Sequence, residues 1–191
     1  AQLKHLGTDS NFETMKKLID DLGTRCDIIT DTEVTGVDKD TRELTMVHNG
    51  EEFHTEAKYI IFAVGRFGSR FFAKWCSEHD IKLKNNQVDI GVRVEMPAII
   101  WDNFSKKIYE PKIWYRSKQY GDTTRMFCFN ERGGVVTENT DGVLTVNGHS
   151  YRDASRKTQN SNFALLSTIR FTEPFKDPIA YARYVASLAN L

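Results

Sequence analysis

The chain has 191 residues, 40% of them hydrophobic and 27% charged, a composition typical of a globular protein long enough to bury a core. Lys and Arg total 26 and Asp and Glu total 26, so the zero net charge argues against recognition of nucleic acid or an anionic membrane by overall charge. No apolar run approaches the ~20 residues of a membrane span. The three cysteines are an odd number at wide spacing, which argues against a disulfide framework, and we therefore expect a cytoplasmic protein.

The first predicted element is a helix with an apolar stripe. Ser-Asn-Phe-Glu at residues 10–13 has the form of a capping box, and apolar residues then recur at helical spacing as far as Gly23. A short strand is predicted at residues 26–30. A β-meander follows, with turns at residues 38–40 and at residues 49–50, where Asn-Gly favours a type I′ hairpin.

The pattern then changes to a continuous apolar run over residues 59–64 that ends at Gly65. Such a run is typical of a strand buried on both faces, as in the centre of a parallel sheet. A second helix is predicted after it, capped by Ser69 and carrying apolar residues as far as His79. The polar stretch at residues 82–87 is the best candidate for a domain boundary.

The second half of the chain is predicted to be rich in β-structure. We predict strands at residues 88–95, 112–118, 125–130 and 163–171. Glycine-containing dipeptides indicate turns at residues 133–134, 141–142 and 147–148. Asp177 as N-cap and Pro178 as the first helical residue open a final helix.

Three further patterns are assigned to ordinary packing. The three cysteines are too few for a disulfide framework and are predicted to be buried, inert thiols: Cys26, Cys76 and Cys128. His48 and His54 could face each other across the hairpin, but no third ligand lies at zinc-binding spacing. Residues 104–118 interleave basic and aromatic side chains, as single-stranded nucleic acid binders do, although such alternation in strands predicts aromatic side chains inward and charges outward.

Four motifs of the second half occur in order: Gly-Val-Arg-Val-Glu, Gly-Gly, Asn-Gly-His-Ser and Asn-Ser-Asn-Phe, at residues 91–95, 133–134, 147–150 and 160–163. His-Leu-Gly-Thr-Asp stands at residues 5–9, and the meander leads into an apolar run that ends Ala-Val-Gly at residues 63–65. With these features the chain resembles the uncharacterised FAD-dependent dehydrogenase family of bacterial flavoproteins. The similarity spans nearly the whole chain.

The resemblance implies an α+β fold. A β-meander and a strand would come from a FAD/NAD(P)-binding α/β domain, and a β-rich substrate domain with flanking helices would be inserted into it. Residues 1–68 would be part of the FAD domain, residues 69–86 a helix and linker, and residues 87–191 the substrate domain. The family's Gly-x-Gly-x-x-Gly turn, which does not occur in these 191 residues, would precede residue 1, and the closing FAD strand would follow residue 191.

The resemblance also implies a site. The candidate cofactor-binding residues are Gly65, Gly133, Gly134, Asn147, Gly148 and Ser150, and His149 is the weak candidate for acid–base work. The implied partners are FAD, a small-molecule substrate, the rest of the FAD domain and, as a candidate reductant, NAD(P)H; neither a metal nor nucleic acid is implied. We expect the chain alone to be inactive and not to retain FAD. The alternatives left open are that the loop residues form solvated turns and that the chain is a non-catalytic α+β binding module.

Overall fold

The computed structural model describes residues 6–108, 110–171 and 177–190, and it has a mixed α+β architecture, which confirms the coarse fold class. The chain divides into a large unit, Ala1–Leu18 with Asn85–Leu191, and a small unit, Ile19–Lys84. The assignment of residues 1–68, 69–86 and 87–191 to flavoenzyme domains stays a prediction.

The described helices are α1 (Thr8–Gly23), α2 (Ser69–Glu78), α3 (Asp102–Ser105) and α4 (Pro178–Leu188). The described strands are β1 (Thr32–Val37), β2 (Glu43–His48), β3 (Glu51–Glu56), β4 (Val88–Pro97), β5 (Trp114–Arg116), β6 (Thr123–Asn130), β7 (Gly134–Thr140), β8 (Val143–His149) and β9 (Asn160–Ile169). They form antiparallel sheets of order β1-β2-β3 and β4-β9-β6-β5, and the hairpin β7-β8.

The small unit joins the meander to helix α2. Asn49 and Gly50 have φ angles of 51° and 84°, so the predicted type I′ turn between β2 and β3 is confirmed. The indole Nε1 of Trp75 on α2 donates a hydrogen bond of 2.7 Å to the carbonyl oxygen of Val37 on β1. Ser69 is the first residue of α2 rather than its cap, since the cap position is Gly68, and the Ser69 hydroxyl donates to the Arg66 carbonyl.

Two predicted strands of the small unit are not strands. Residues 26–30 and 59–64 belong to no strand pairing in the described part of the chain. Tyr59 is 78% exposed and Ile61 88% exposed, so the predicted burial on both faces is wrong. The Phe62 ring lies 5.0 Å from the Phe72 ring and 4.8 Å from the Trp75 ring, but no described strand lies beside the segment.

Helix α1 begins at Thr8, two residues before the predicted cap, so Ser10 lies inside the first turn and the predicted capping box is misplaced. The predicted apolar stripe has helical spacing, but its residues are all exposed: Phe12, Met15, Leu18, Ile19 and Leu22. Described residues therefore leave the apolar face of α1 uncovered.

The core of the large unit lies on the four-stranded sheet. Met126, Phe129 and Phe163 are buried there. The Trp101 ring lies 5.3 Å from both phenylalanine rings, close enough for favourable aromatic contacts. Burial of these side chains contributes to the stability of this sheet.

Of three further predictions for the large unit, one is confirmed and two are wrong. Asp141 and Gly142 form a turn, with φ angles of 52° and 81°, as predicted. The predicted turn at residues 147–148 is wrong, because this dipeptide pairs within β8. Trp114 and Tyr115 on the short edge strand β5 are both 64% exposed, so the predicted inward orientation of the aromatic side chains is also wrong.

The last helix is built as predicted and closes onto the hairpin. Asp177 accepts a hydrogen bond of 2.8 Å from the Ala180 N–H, and Pro178 follows it as the first helical residue. Beyond the helix, the side-chain amide of Asn190 accepts from the Leu144 N–H at 2.7 Å and donates to the Leu144 carbonyl at 2.9 Å. One amide thereby satisfies both backbone groups of a residue in β8.

Candidate functional site

Residues from three of the four ordered motifs of the second half, together with Asn130, meet around Gly148. A Cβ added to Gly148 would lie 2.2 Å from Asn162 Oδ1, 2.3 Å from Asn130 Nδ2 and 2.4 Å from Arg93 Nη1. Only glycine fits there without a shift of its neighbours. We call Arg93, Asn130, Asn147, Gly148 and Asn162 the Arg–Asn cluster.

The strand register brings these side chains together. Arg93 on β4 pairs with Ala164 on β9, and Asn162 lies two residues away, on the same face of that strand. Asn130 at the end of β6 pairs with Asn162 after an irregularity in the ladder, where Cys128 has a φ of 54°. The irregularity re-aims the end of β6, as a β-bulge does.

Hydrogen bonds connect the cluster. Arg93 Nη1 donates to Asn162 Oδ1 at 2.7 Å, and Arg93 Nη2 donates to Asn147 Oδ1 at 3.3 Å. Asn130 Nδ2 donates to the Cys128 carbonyl at 2.9 Å and to Asn162 Oδ1 at 3.3 Å. The two atoms that accept hydrogen bonds from the Arg93 guanidinium, Asn162 Oδ1 and Asn147 Oδ1, are neutral amide oxygens.

Three polar atoms of the cluster are buried without a hydrogen-bond partner in the described part of the chain: Arg93 Nε, Asn130 Oδ1 and Asn162 Nδ2. Rotating the Asn162 amide would place its NH₂ group against the Arg93 guanidinium, so the observed orientation is the favourable one. A buried polar group without a partner costs about 1–3 kcal/mol. A network that bears such costs is a candidate for function rather than for stability.

The predicted site residues of the large unit lie around the paired ends of β7 and β8. Gly134 pairs with His149, and a Cβ added to Gly133 would lie 2.1 Å from the His149 carbonyl oxygen. Ser150 follows β8, and its carbonyl accepts a hydrogen bond of 2.8 Å from the Thr8 N–H. Gly65 belongs to the small unit, where its φ is 60°.

The loop after β8 is anchored by the Asp9 carboxylate. This group accepts hydrogen bonds from the backbone N–H groups of Asp153 at 3.0 Å, Arg152 at 3.1 Å and Ser10 at 2.9 Å. These donors, above all those of Asp153 and Arg152, lower the pKa of Asp9 to about 2. Thr8 and Asp9 thus hold the segment that carries His149 and Ser150; His5 of the same motif lies outside the described residues.

Aromatic and basic side chains stand beside this loop. The His149 ring meets the Tyr151 ring edge-on, with centroids 6.3 Å apart. The Arg156 guanidinium lies over the Tyr151 ring at 4.0 Å, a cation–π contact. These contacts limit the orientations available to Tyr151 at the end of β8.

The other candidate chemistries gain little from the structure. Within the described residues there is no group of three or more His, Cys, Asp or Glu side chains that could hold a metal ion. His48 pairs with Glu51 and His54 with Thr45, which places the two histidines on opposite faces of the meander rather than face to face.

The cysteines behave differently from one another. Cys76 is buried, as predicted. Cys26 is exposed, which corrects its prediction, because the segment that carries it is not a buried strand. Cys128 is only half-buried, so its predicted burial is also wrong.

Sequence reasoning marked the motifs of the cluster but not Arg93, Asn130 or Asn162 as site residues. Their polarity within apolar strands was the available signal, because a polar residue in a strand core needs a partner. Which partner each one finds depends on strands that are distant in sequence.

Comparison with known proteins adds no family assignment. A scan against family models and a search of curated proteins find no match to this chain. No helix among the described residues has both the length and the apolar character needed to cross a membrane. The functional interpretation therefore depends on the motifs and on the geometry around them.

Proposed function

We propose that this chain is part of a cytoplasmic FAD-dependent oxidoreductase. Residues 1–68 would contribute to its FAD-binding domain and residues 87–191 would form its substrate domain. The observation that carries the proposal is the apolar segment at residues 59–64, which follows a β-meander, ends at a glycine and is exposed in the described chain.

An exposed segment that is rich in apolar side chains is expected to be covered by another part of the protein. Burial of apolar surface yields roughly 25 cal/mol per Å², so residues such as Tyr59 and Ile61 gain most when strands or helices cover them. The same argument applies to residues 26–30, where Ile28 and Ile29 are exposed, and to the exposed apolar stripe of α1. A meander that leads into an apolar strand ending in Ala-Val-Gly is what the resemblance to the flavoprotein family implies for its FAD-binding domain.

Gly65 suits a close approach to a dinucleotide. Its φ is 60°, and apart from its chain neighbours no described residue has an atom within 4 Å of the position that a Cβ would take, so the backbone at this end of the segment is open. Open α/β sheets bind ligands at the carboxyl ends of their strands. The chain lacks the Gly-x-Gly-x-x-Gly turn, and the main contacts to the pyrophosphate would therefore come from residues outside this chain.

In the large unit, Gly133, Gly134, Asn147, Gly148 and Ser150 are the candidates for contacts with cofactor or substrate. FAD, when bound, would supply the redox chemistry. The residues of this chain would bind and orient a small-molecule substrate. His149, half-buried beside Tyr151, is the candidate to hold or move a proton, and NAD(P)H is the candidate reductant.

The test is to express the chain within the longest polypeptide that its gene encodes and to record the visible absorption spectrum. We expect bound flavin that is bleached anaerobically when the right reductant is added, with NADH and NADPH tested first. The 191-residue chain by itself is expected to be purified without flavin. A longer polypeptide that folds without flavin, or stoichiometric flavin on the isolated chain, would contradict this proposal and favour a non-catalytic binding module.

A further inference from the structure

The Arg93 guanidinium in the Arg–Asn cluster is held by neutral groups. Its Nη1 and Nη2 atoms donate to the amide oxygens of Asn162 and Asn147. The carboxylate of Glu138 accepts from Asn147 Nδ2 at 3.3 Å and is thus separated from the guanidinium by that amide. A half-buried cation bonded to amides retains a positive charge that an anion can neutralise by charge-assisted hydrogen bonds.

The cluster has donors in excess. Two of its three buried unpartnered atoms are donors, Arg93 Nε and Asn162 Nδ2, whereas Asn130 Oδ1 is an acceptor. Asn130 and Asn162 are 1% and 0% exposed, so the surroundings of the guanidinium are desolvated. Hydrogen bonds from strands β4, β8 and β9 fix these groups, and a fixed, desolvated donor set binds an acceptor without further ordering cost.

The hydrogen bond between Asn147 and Arg93 is the contact that a ligand would replace. Arg93 and Asn147 are half-buried, and their 3.3 Å hydrogen bond is longer than the 2.7 Å bond between Arg93 and Asn162. Asn147 Oδ1 also accepts from the Gly148 N–H at 2.8 Å. A ligand oxygen that takes the place of Asn147 Oδ1 on Nη2 exchanges a neutral acceptor for a charged one.

From these observations we propose that the Arg–Asn cluster binds a small oxyanion, a carboxylate or phosphate group, on the Arg93 guanidinium in place of Asn147 Oδ1. That this oxyanion belongs to the substrate rests on the proposed function; that the chain binds it does not. The substrate of the oxidoreductase is accordingly an organic acid or a phosphate ester.

The test uses the ¹⁵N-labelled 191-residue chain, titrated separately with acetate and with inorganic phosphate. Sodium chloride at equal ionic strength is the reference, because screening alone shifts surface resonances. We expect saturable changes at the Arg93 Nε–H and the Asn162 side-chain NH₂ resonances. Saturation by acetate alone identifies a carboxylate site, and saturation by phosphate alone identifies a phosphate site.

Arg93→Gln removes the cation and is expected to weaken binding by about tenfold or more, the effect of losing charge-assisted hydrogen bonds. Arg116→Gln, the same charge change on the exposed edge strand β5, is the matched control and should bind as the unaltered chain does. Changes that are spread over exposed lysines and arginines without saturation, or equal binding by the Arg93→Gln chain, would overturn the proposal.

A second variant keeps the test decisive if Arg93→Gln does not fold. Asn147→Ala removes the competing amide oxygen and is expected to tighten binding about threefold, the loss of one weak hydrogen bond. Unchanged, weaker or absent binding by a folded Asn147→Ala chain contradicts the displacement. If the flavin experiment fails, the oxyanion site is still supported, but it is no longer assigned to the substrate of a flavoenzyme. If the titration fails, the proposal that the chain belongs to a flavoenzyme is unaffected.

Discussion

The sheet of the large unit and the segment at residues 59–64 are both rich in large apolar side chains, yet they differ in burial. Phe163 on β9 is 5% exposed, because β4 and β6 flank its strand and Trp101 covers its ring. Ile61 is 88% exposed, since no described strand lies beside it. Burial is thus a property of the partners that a segment finds, and apolar composition alone does not confer it.

The largest effect that would test this comparison is the removal of a packed ring. Phe163→Ala is expected to destabilise the large unit by about 3–5 kcal/mol, through lost burial and the cavity left against Trp101 and Phe129. Phe67→Ala is the control, because Phe67 is 75% exposed and should change stability by less than about 0.5 kcal/mol. Urea unfolding followed by circular dichroism measures both, and equal losses would contradict the contrast.

The next effect tests the packing around the Arg–Asn cluster. Gly148→Ala forces a methyl group against Asn162, Asn130 and Arg93, and we expect a loss of about 1–3 kcal/mol in the free energy of unfolding. Gly134→Ala on the paired strand β7 is the matched control, because apart from its chain neighbours no described residue has an atom within 4 Å of the added Cβ. It should be neutral or slightly stabilising, and a destabilised Gly134→Ala chain would show that the backbone, not the cluster, sets the cost.

A smaller effect concerns the Trp75 indole, whose hydrogen bond joins α2 to the meander of the small unit. Trp75→Phe keeps an aromatic ring but removes the donor to the Val37 carbonyl, which is expected to cost about 1 kcal/mol. Trp114→Phe on the exposed edge of the large unit is the control for the exchange itself. Thermal unfolding of the two variants should separate them, and equal melting temperatures would mean that the hydrogen bond is replaced by water at no cost.

The smallest effect is a pH dependence. The pKa of Asp9 is lowered from 3.8 to about 2 by backbone N–H groups, mainly those of Asp153 and Arg152. Its contribution to stability is therefore complete only above about pH 5, and it is lost progressively as the pH falls from there through about 2. The Asp9→Asn chain should be less stable than the unaltered chain at neutral pH, and the difference should shrink as the pH falls through about 2.

Asp20→Asn on the same helix is the control for that charge change. Stability measured by urea unfolding from pH 2 to pH 7 decides the matter. A difference between the Asp9→Asn chain and the unaltered chain that stays constant over this range would show that the carboxylate does not anchor the loop through its ionised form.

Features with local causes could be predicted from the sequence. Asn49-Gly50 forms its hairpin because both residues tolerate a positive φ, and Asp177-Pro178 starts a helix because the carboxylate caps the first turn. These causes act within four residues of chain and do not depend on the rest of the fold. The same holds for the helical spacing of α1, although not for its burial.

Features with distant causes could not be predicted. Residues 147–148 read as a turn, yet they lie inside β8 because pairing with β7 outweighs the local preference of Asn-Gly. Arg93, Asn130 and Asn162 look like unrelated polar residues until β4, β6 and β9 are set side by side. Their partners are between 32 and 69 residues away along the chain, a distance over which sequence periodicity carries no information.

The pair of hydrogen bonds between Asn190 and Leu144 has a consequence for how the protein meets other copies of itself. An unprotected β-edge recruits further strands and so begins aggregation. At Leu144 the donor and the acceptor that an incoming strand would require are already engaged by a side chain, one that can neither extend the ladder nor be copied along it. Asn190→Ala would reopen that position, and faster fibril or precipitate formation on prolonged incubation is the expected sign.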